Sequence, residues 1–237
     1  MVYGENNLIT AEIYPNEEYK DEQGITDCKE ALQQIIDQVV LPTRPTSQWP
    51  LVVGFSDITA LHALMSLHGV PSLHASMCKA LATLPDDAHA LSLLRDVLEG
   101  KLHLEEVIGE GRNIIGGNLS VLYGLQGTPY SLNKIIEQCK EAPILFIEDI
   151  SENHYHIDRM LQNLRLSGVF EKISGLVVGQ FTDCADDVSM GCSLLESIRQ
   201  IAEPYSFPIL FDYPSGHIDS NYPLLFSQEY YLSITNF

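Results

Sequence analysis

Three residues in this chain have the types that acyl-transfer chemistry needs. They are Ser56, Glu148 and His217, each at or just beyond the end of an apolar run. Ser56 lies in Trp49-Pro50-Leu51-Val52-Val53-Gly54-Phe55-Ser56-Asp57-Ile58-Thr59-Ala60-Leu61-His62. The run Leu51, Val52, Val53 reads as a buried parallel strand that breaks at Gly54. Helical spacing follows, with Ile58, Leu61, Leu64 and Met65 on one stripe. A serine on a sharp turn between strand and helix has an exposed hydroxyl, with main-chain N–H groups and the helix dipole beside it. That is the geometry of a nucleophile elbow, in the form G-x-S-D with Ile58 where a G-x-S-x-G pattern has its second glycine. The simpler reading is that Ser56 or Asp57 caps the helix.

Nucleophile, acid and histidine in this order would work if His217 took the Ser56 proton as general base. Glu148 would orient the imidazole and stabilise its charged form. Each also has a plainer explanation: His217 beside Gly216 as a loop histidine, and Glu148 as a helix-capping acid. Glu148 and Asp149 follow Pro143-Ile144-Leu145-Phe146-Ile147, the clearest strand in the chain, and ligands of α/β sheets bind at the carboxyl ends of strands.

Other chemistries leave weaker traces. Glu148, Glu152 and His156 fall at i, i+4, i+8 and could share a helix face, while His62, His68 and His74 recur every six residues. Neither is an established metal spacing such as H-E-x-x-H, so no metal or other cofactor is expected. Gly116-Gly117-Asn118 suggests a phosphate loop but has no G-K-[ST] and no G-x-G-x-x-G unit. A tight strand-to-helix packing turn lining a pocket fits it better. The five cysteines (28, 78, 139, 184, 192) contain no C-x-x-C and read as reduced, mostly buried thiols.

The elements that must position these residues alternate between strand and helix, which indicates an α/β chain. Residues 8–14 form a strand, taken as an edge strand. A helix follows Thr26 or Asp27, with Ala31, Leu32, Ile35, Ile36 and Val39 as its stripe. Pro42 to Ser47 is a linker into the elbow strand, and Ser72–Met77 a second short strand. A helix from Asp86/Asp87 carries Leu91, Leu94 and Leu98 and ends at Gly100. Beyond Glu148 come a helix with Ile157, Met160, Leu161 and Leu164 inward and Arg159 on another face, a strand at 173–178 and a helix at 194–201. A strand at 208–211, a loop holding Gly216-His217 and an antiparallel edge strand at 228–234 complete the order. The division expected is residues 1–80 as an α/β domain with the elbow, 81–110 connecting, and 111–237 as a mixed α/β domain with acid and histidine.

Composition narrows the partners. Thirteen Lys+Arg against 32 Asp+Glu give a net charge of −19, which argues against nucleic acid and anionic membranes. No apolar run approaches a membrane span and Met1 to Lys20 is polar and acidic, so a cytoplasmic location is expected.

Four segments in order add a resemblance: Gly54-Phe55-Ser56-Asp57-Ile58-Thr59-Ala60, Gly116-Gly117-Asn118-Leu119, Phe146-Ile147-Glu148-Asp149-Ile150 with Ile157-Asp158-Arg159-Met160-Leu161, and Gly216-His217 before Pro223-Leu224. Together they resemble the LD-carboxypeptidase family of serine peptidases, which includes muramoyl-tetrapeptide carboxypeptidases and microcin C immunity peptidases. The resemblance runs from about Pro50 to Phe226. It implies Ser56 as nucleophile, Glu148 as triad acid, His217 as base and the Asp57 N–H as an oxyanion donor. It also places Gly116, Gly117 and Asn118 at the substrate.

The resemblance further implies a homodimer that releases terminal D-alanine from murein tetrapeptide in the cytoplasm, without metal or cofactor. Family members carry a longer N-terminal portion with an Arg-Gly-Gly-Tyr-Gly segment that gives the second oxyanion donor. Residues 1–49 here hold only Gly4 and Gly24. A shortened N-terminal α/β domain is therefore expected. Two other outcomes are an immunity-type peptidase acting on a peptidyl-nucleotide, with Trp49 as the one tryptophan able to stack on its base, and a catalytically impaired homologue that binds muropeptide.

Overall fold

The computed structural model describes residues 2–3, 8–10, 36, 45, 49–77, 82–85, 88–99 and 113–227. In chain order these form β1 (Val2–Tyr3), β2 (Leu8–Thr10), β3 (Leu51–Gly54), α1 (Thr59–Leu67), β4 (Ser72–His74) and α2 (His89–Leu98). Then come β5 (Ile114–Asn118), α3 (Leu119–Gly124), α4 (Leu132–Ile136), β6 (Ile144–Ile150), α5 (His154–Leu166) and β7 (Gly175–Thr182). The last are α6 (Leu194–Ala202), β8 (Ile209–Leu210) and β9 (Leu224–Phe226).

Two mixed α/β layers result. One sheet runs β1-β2-β3-β4-β9, with β2, β3 and β4 parallel and β1 and β9 antiparallel to their neighbours. The other runs β5-β6-β7-β8, parallel throughout. Parallel strands joined by helices are buried on both faces, and β6 shows why its sequence is a continuous apolar run. Leu145 and Ile147 face a cluster with α1, α3, α5 and α6, while Ile144 and Phe146 face a second cluster with Leu73, Tyr213 and Phe226. All four have no exposed surface, and each such side chain contributes about 1.5–3 kcal/mol by leaving water.

The sheets are joined directly. The Ser227 N–H at the end of β9 donates to the Ile114 carbonyl at the start of β5 (3.1 Å). On α1, Ala60, Ala63 and Leu64 are buried, and Leu61 is only half-buried.

Several expectations are corrected. The strand at 8–10 is not an edge, because β1 lies outside it. Gly116 and Gly117 stand inside β5 and not in the turn after it, since β5 must lie flat against β6 through Asn118. Leu98 is exposed on α2 and Leu93 takes its place inward. Glu148 belongs to a strand, so it shares no helix face with Glu152 and His156. The short strand β9 closes the first sheet against β4, at residues to which the sequence reading assigns no element. Apart from Ile36, which is buried in the core, the helix expected near 27–39 lies outside the described residues, as do the Pro42 to Ser47 linker except Pro45, Asp86/Asp87, Cys28, Cys78 and the strand at 228–234.

Candidate active site

Ser56 follows β3 after the single residue Phe55 and opens a 3-10 turn, Ser56–Ile58, that leads into α1. Its φ of +59° is in the left-handed region. A non-glycine residue there stores on the order of 1–3 kcal/mol of strain, which a packed fold tolerates most often at functional positions. The turn is fixed from both sides. Ile58 is buried beneath it, and the Ile58 N–H donates to the Phe55 carbonyl (3.2 Å). His62, one turn along α1, donates from Nε2 to the Gly54 carbonyl (3.0 Å), and its Nδ1 lies 2.9 Å from the Ser72 hydroxyl. The donor at Nε2 leaves Nδ1 to accept from Ser72. Burial lowers the His62 pKa from its ordinary 6.5 to about 4, so this tie stays neutral.

Glu148 projects from the C-terminal part of β6 and has no exposed surface. His217, in the loop between β8 and β9, places Nδ1 2.8 Å from Glu148 Oε2, and its side chain keeps 14% exposure. A carboxylate only accepts, so Nδ1 carries the proton and Nε2 keeps the lone pair that a general base needs. Among the described residues Glu148 Oε1 has no hydrogen-bond partner. A buried carboxylate so thinly supported is costly unless a positive charge forms beside it, and an imidazolium at His217 would be that charge.

The His217 loop is held closely. The Thr182 hydroxyl donates to the His217 carbonyl (3.1 Å), and the Gln180 N–H donates to the Ser215 carbonyl (2.9 Å). Gly216 has φ +139°, and a Cβ there would stand 3.2 Å from Glu148 Oε2 and 3.1 Å from the Gln180 carbonyl oxygen. Only glycine lets this loop pass so near the carboxylate.

The structure thus joins two of the three expected residues by a hydrogen bond and brings the third segment alongside. Phe55, the chain neighbour of Ser56, packs edge-on against the His217 imidazole with ring centroids 4.8 Å apart. Asp57 lies in the opening turn, whose N–H groups precede the first helical acceptors.

Gly116, Gly117 and Asn118 are buried. The Asn118 side-chain amide donates to Asp149 Oδ1 (3.0 Å) and its oxygen accepts from the Val121 N–H (3.3 Å) and the Ser120 hydroxyl (2.7 Å). Asp149 also accepts from the Ser120 and Ile150 N–H groups (both 2.9 Å). These contacts cap α3 and lock β5 to β6. Sequence reading missed Asp149 in this role, although the Asn-x-Ser after two glycines is a capping signal.

Trp49 packs on His68 with ring centroids 5.3 Å apart. His156 Nδ1 lies 3.2 Å from Glu152 Oε2 at the surface of α5. No cluster of three or more His, Cys, Asp or Glu that could hold a metal ion occurs among the described residues, and Cys139, Cys184 and Cys192 are free thiols. No helix among them is long and apolar enough to cross a membrane.

Comparison with known proteins identifies the family to which this chain belongs. Residues 110–232 match the LD-carboxypeptidase C-terminal domain. A probable murein peptide carboxypeptidase of Bacillus subtilis is 32% identical over 200 residues, covering 77% of this chain and 58% of the relative. A murein tetrapeptide carboxypeptidase of Pseudomonas aeruginosa is 27% identical over 181 residues, covering 70% and 57%. The crystal structure of a muramoyltetrapeptide carboxypeptidase from Oxalobacter formigenes superposes with a TM-score of 0.63 at 27% identity, over 76% of this chain and 64% of that one. The chain thus spans under two thirds of the length of each of these proteins. The matched domain covers more than half of the chain, and the chain belongs to the LD-carboxypeptidase family.

Proposed function

We propose that this protein is a serine-type hydrolase that cleaves an L,D-peptide bond and releases terminal D-alanine from a murein tetrapeptide. The observation that carries the reading is the buried 2.8 Å contact between Glu148 and His217 Nδ1, beside a segment that holds Ser56 at a strained positive φ. In the first half-reaction His217 Nε2 takes the Ser56 proton as Oγ attacks the carbonyl carbon. The Asp57 N–H donates to the oxyanion that forms. His217 then returns the proton to the leaving D-alanine nitrogen, and water, deprotonated by the same imidazole, releases the acyl group. Glu148 holds the ring in one tautomer throughout and balances its charge.

The substrate is proposed by analogy with the Pseudomonas relative, a murein tetrapeptide carboxypeptidase. A place in peptidoglycan recycling in the cytoplasm, as a homodimer, belongs to the same proposal. The test is release of D-alanine from murein tetrapeptide by the purified protein. Ser56→Ala is expected to reduce it by at least about 10⁴-fold. Folded wild-type protein that releases none overturns the reading.

A further inference from the structure

Behind the Glu148–His217 pair lies a second set of buried polar groups that the chemistry above does not use. His74 on β4, Ser215 and Asn221 are 0%, 0% and 2% exposed. Ser215 Oγ donates to Asn221 Oδ1 (2.9 Å), and the same oxygen accepts the Gly216 N–H (3.0 Å). The Gly216 N–H can only donate, so the Asn221 amide is oriented with its oxygen toward this loop. Ser215 has one hydroxyl proton, and Asn221 receives it. Toward His74 Nδ1, 3.2 Å away, Ser215 Oγ must therefore accept, and Nδ1 carries the proton.

The remaining polar atoms show what the arrangement is kept for. His74 Nε2 and Asn221 Nδ2 are buried without partners among the described residues. Such buried orphans are destabilising, a penalty interiors seldom carry. Every bond that is made converges on Ser215 and Gly216, the two residues before His217. The His74 ring sits among Phe146 (5.0 Å between centroids), Phe226 (5.8 Å) and Phe55 (6.1 Å), so it cannot swing away. His62, its other ring neighbour at 6.2 Å, is in the opposite tautomer. Burial, reinforced by His62 and His217, holds His74 neutral.

We propose that His74, Ser215 and Asn221 form a buried positioning relay that sets the direction of the His217 imidazole, with His74 acting as a fixed Nδ1–H donor. The proposal rests on the reading of His217 as the general base. No member of the relay touches substrate. It fixes the main chain on the N-terminal side of His217, while Glu148 and Thr182 fix the ring and the carbonyl.

Two pairs of measurements test it. An asparagine amide can reproduce a donor at the position of a histidine Nδ1, and a glutamine amide reproduces one at Nε2. Glutamine is nearer histidine in volume, so a packing role favours His74→Gln and the relay favours His74→Asn. The readouts are the rate of Ser56 labelling by a fluorophosphonate, the low-field proton resonance of His217 Nδ1–H, and kcat and KM for D-alanine release.

His74→Gln and Ser215→Ala are expected to lower labelling and kcat about 10–100-fold with KM within about twofold, the scale of a misplaced catalytic group. Both should broaden or shift the low-field resonance, and His74→Asn should recover most of the loss. Folded Ser215→Ala with wild-type labelling and an unmoved resonance overturns the proposal. So does a His74→Gln that equals or exceeds His74→Asn, and that pair decides the matter if Ser215→Ala does not fold. If wild-type protein labels but releases no D-alanine, the function proposed above fails while the relay is still judged by labelling and resonance.

Discussion

The Thr59 hydroxyl accepts the main-chain N–H of Asn118 at 2.9 Å, joining the first turn of α1 to the end of β5. Through this bond the sheet that carries Glu148 holds the helix that begins three residues after Ser56. The approach is so close that a Cβ on Gly117, where φ is +133°, would stand 2.4 Å from Thr59 Oγ1. Gly117→Ala is therefore expected to cost about 2 kcal/mol or more through clash and backbone strain, and to slow Ser56 labelling by displacing α1. Thr59→Val keeps the volume but strands the Asn118 N–H, at a cost of about 1–3 kcal/mol. Denaturant unfolding measures both, and a neutral Gly117→Ala would contradict the contact.

Glu148→Gln keeps the shape of the side chain and removes its charge. The amide can present its nitrogen to His217 Nδ1 and favour the wrong tautomer. Activity is expected to fall about 10²–10⁴-fold while the fold persists. The check is kcat/KM together with thermal unfolding of the same sample. Retained activity would remove Glu148 from the mechanism.

Gly216→Ala is expected to damage activity more than stability. The added methyl group meets Glu148 Oε2 and the Gln180 carbonyl, and the residue must keep φ near +139°. The loop would have to rise, lengthening the 2.8 Å contact between His217 and Glu148. A fall in kcat of about 10-fold or more, with a melting temperature lowered by only a few degrees, is the expected outcome.

Stability should depend on pH through the buried histidines. In the unfolded chain His62 binds a proton below its ordinary 6.5, whereas in the fold it does so only below about 4. Between those values the unfolded state holds more protons, so stability falls as pH drops from 6.5 toward 4. His62 alone accounts for about 3 kcal/mol over that window. His74, lowered in the same direction by burial, steepens the loss. Urea unfolding at pH 7.5, 6 and 5 measures it, and His62→Gln should flatten the slope.

What could be read from the sequence follows from how local each signal is. Leu51 to Val53, Ile144 to Ile147 and Leu194 to Ile201 carry their own periodicity, so their elements needed no neighbours to be seen. Leu224, Leu225 and Phe226 form a strand only because β4 offers an edge, and three residues have no period. The glycines of β5 read as a turn because glycine usually marks one. Here they admit the Phe146 main chain and the Thr59 side chain at close range instead. Ser56, Glu148 and His217 were nameable as types at strand ends, but the Glu148–His217 contact spans 69 positions and belongs to the tertiary fold. Asn118 carries a local capping signal, but its bond to Asp149 and the His74–Ser215 bond, 141 positions apart, belong to the tertiary fold.

The pairing of β9 with β4 also bears on synthesis at the ribosome. Residues 72–74 emerge well before residues 224–226, so the β4 flank of the first sheet stays unfilled until then. Until β9 arrives, that flank can pair with a similar flank on another nascent chain. Chaperone demand and inclusion-body yield should therefore rise most sharply for variants that weaken Leu224, Leu225 or Phe226, although none of these belongs to the candidate triad.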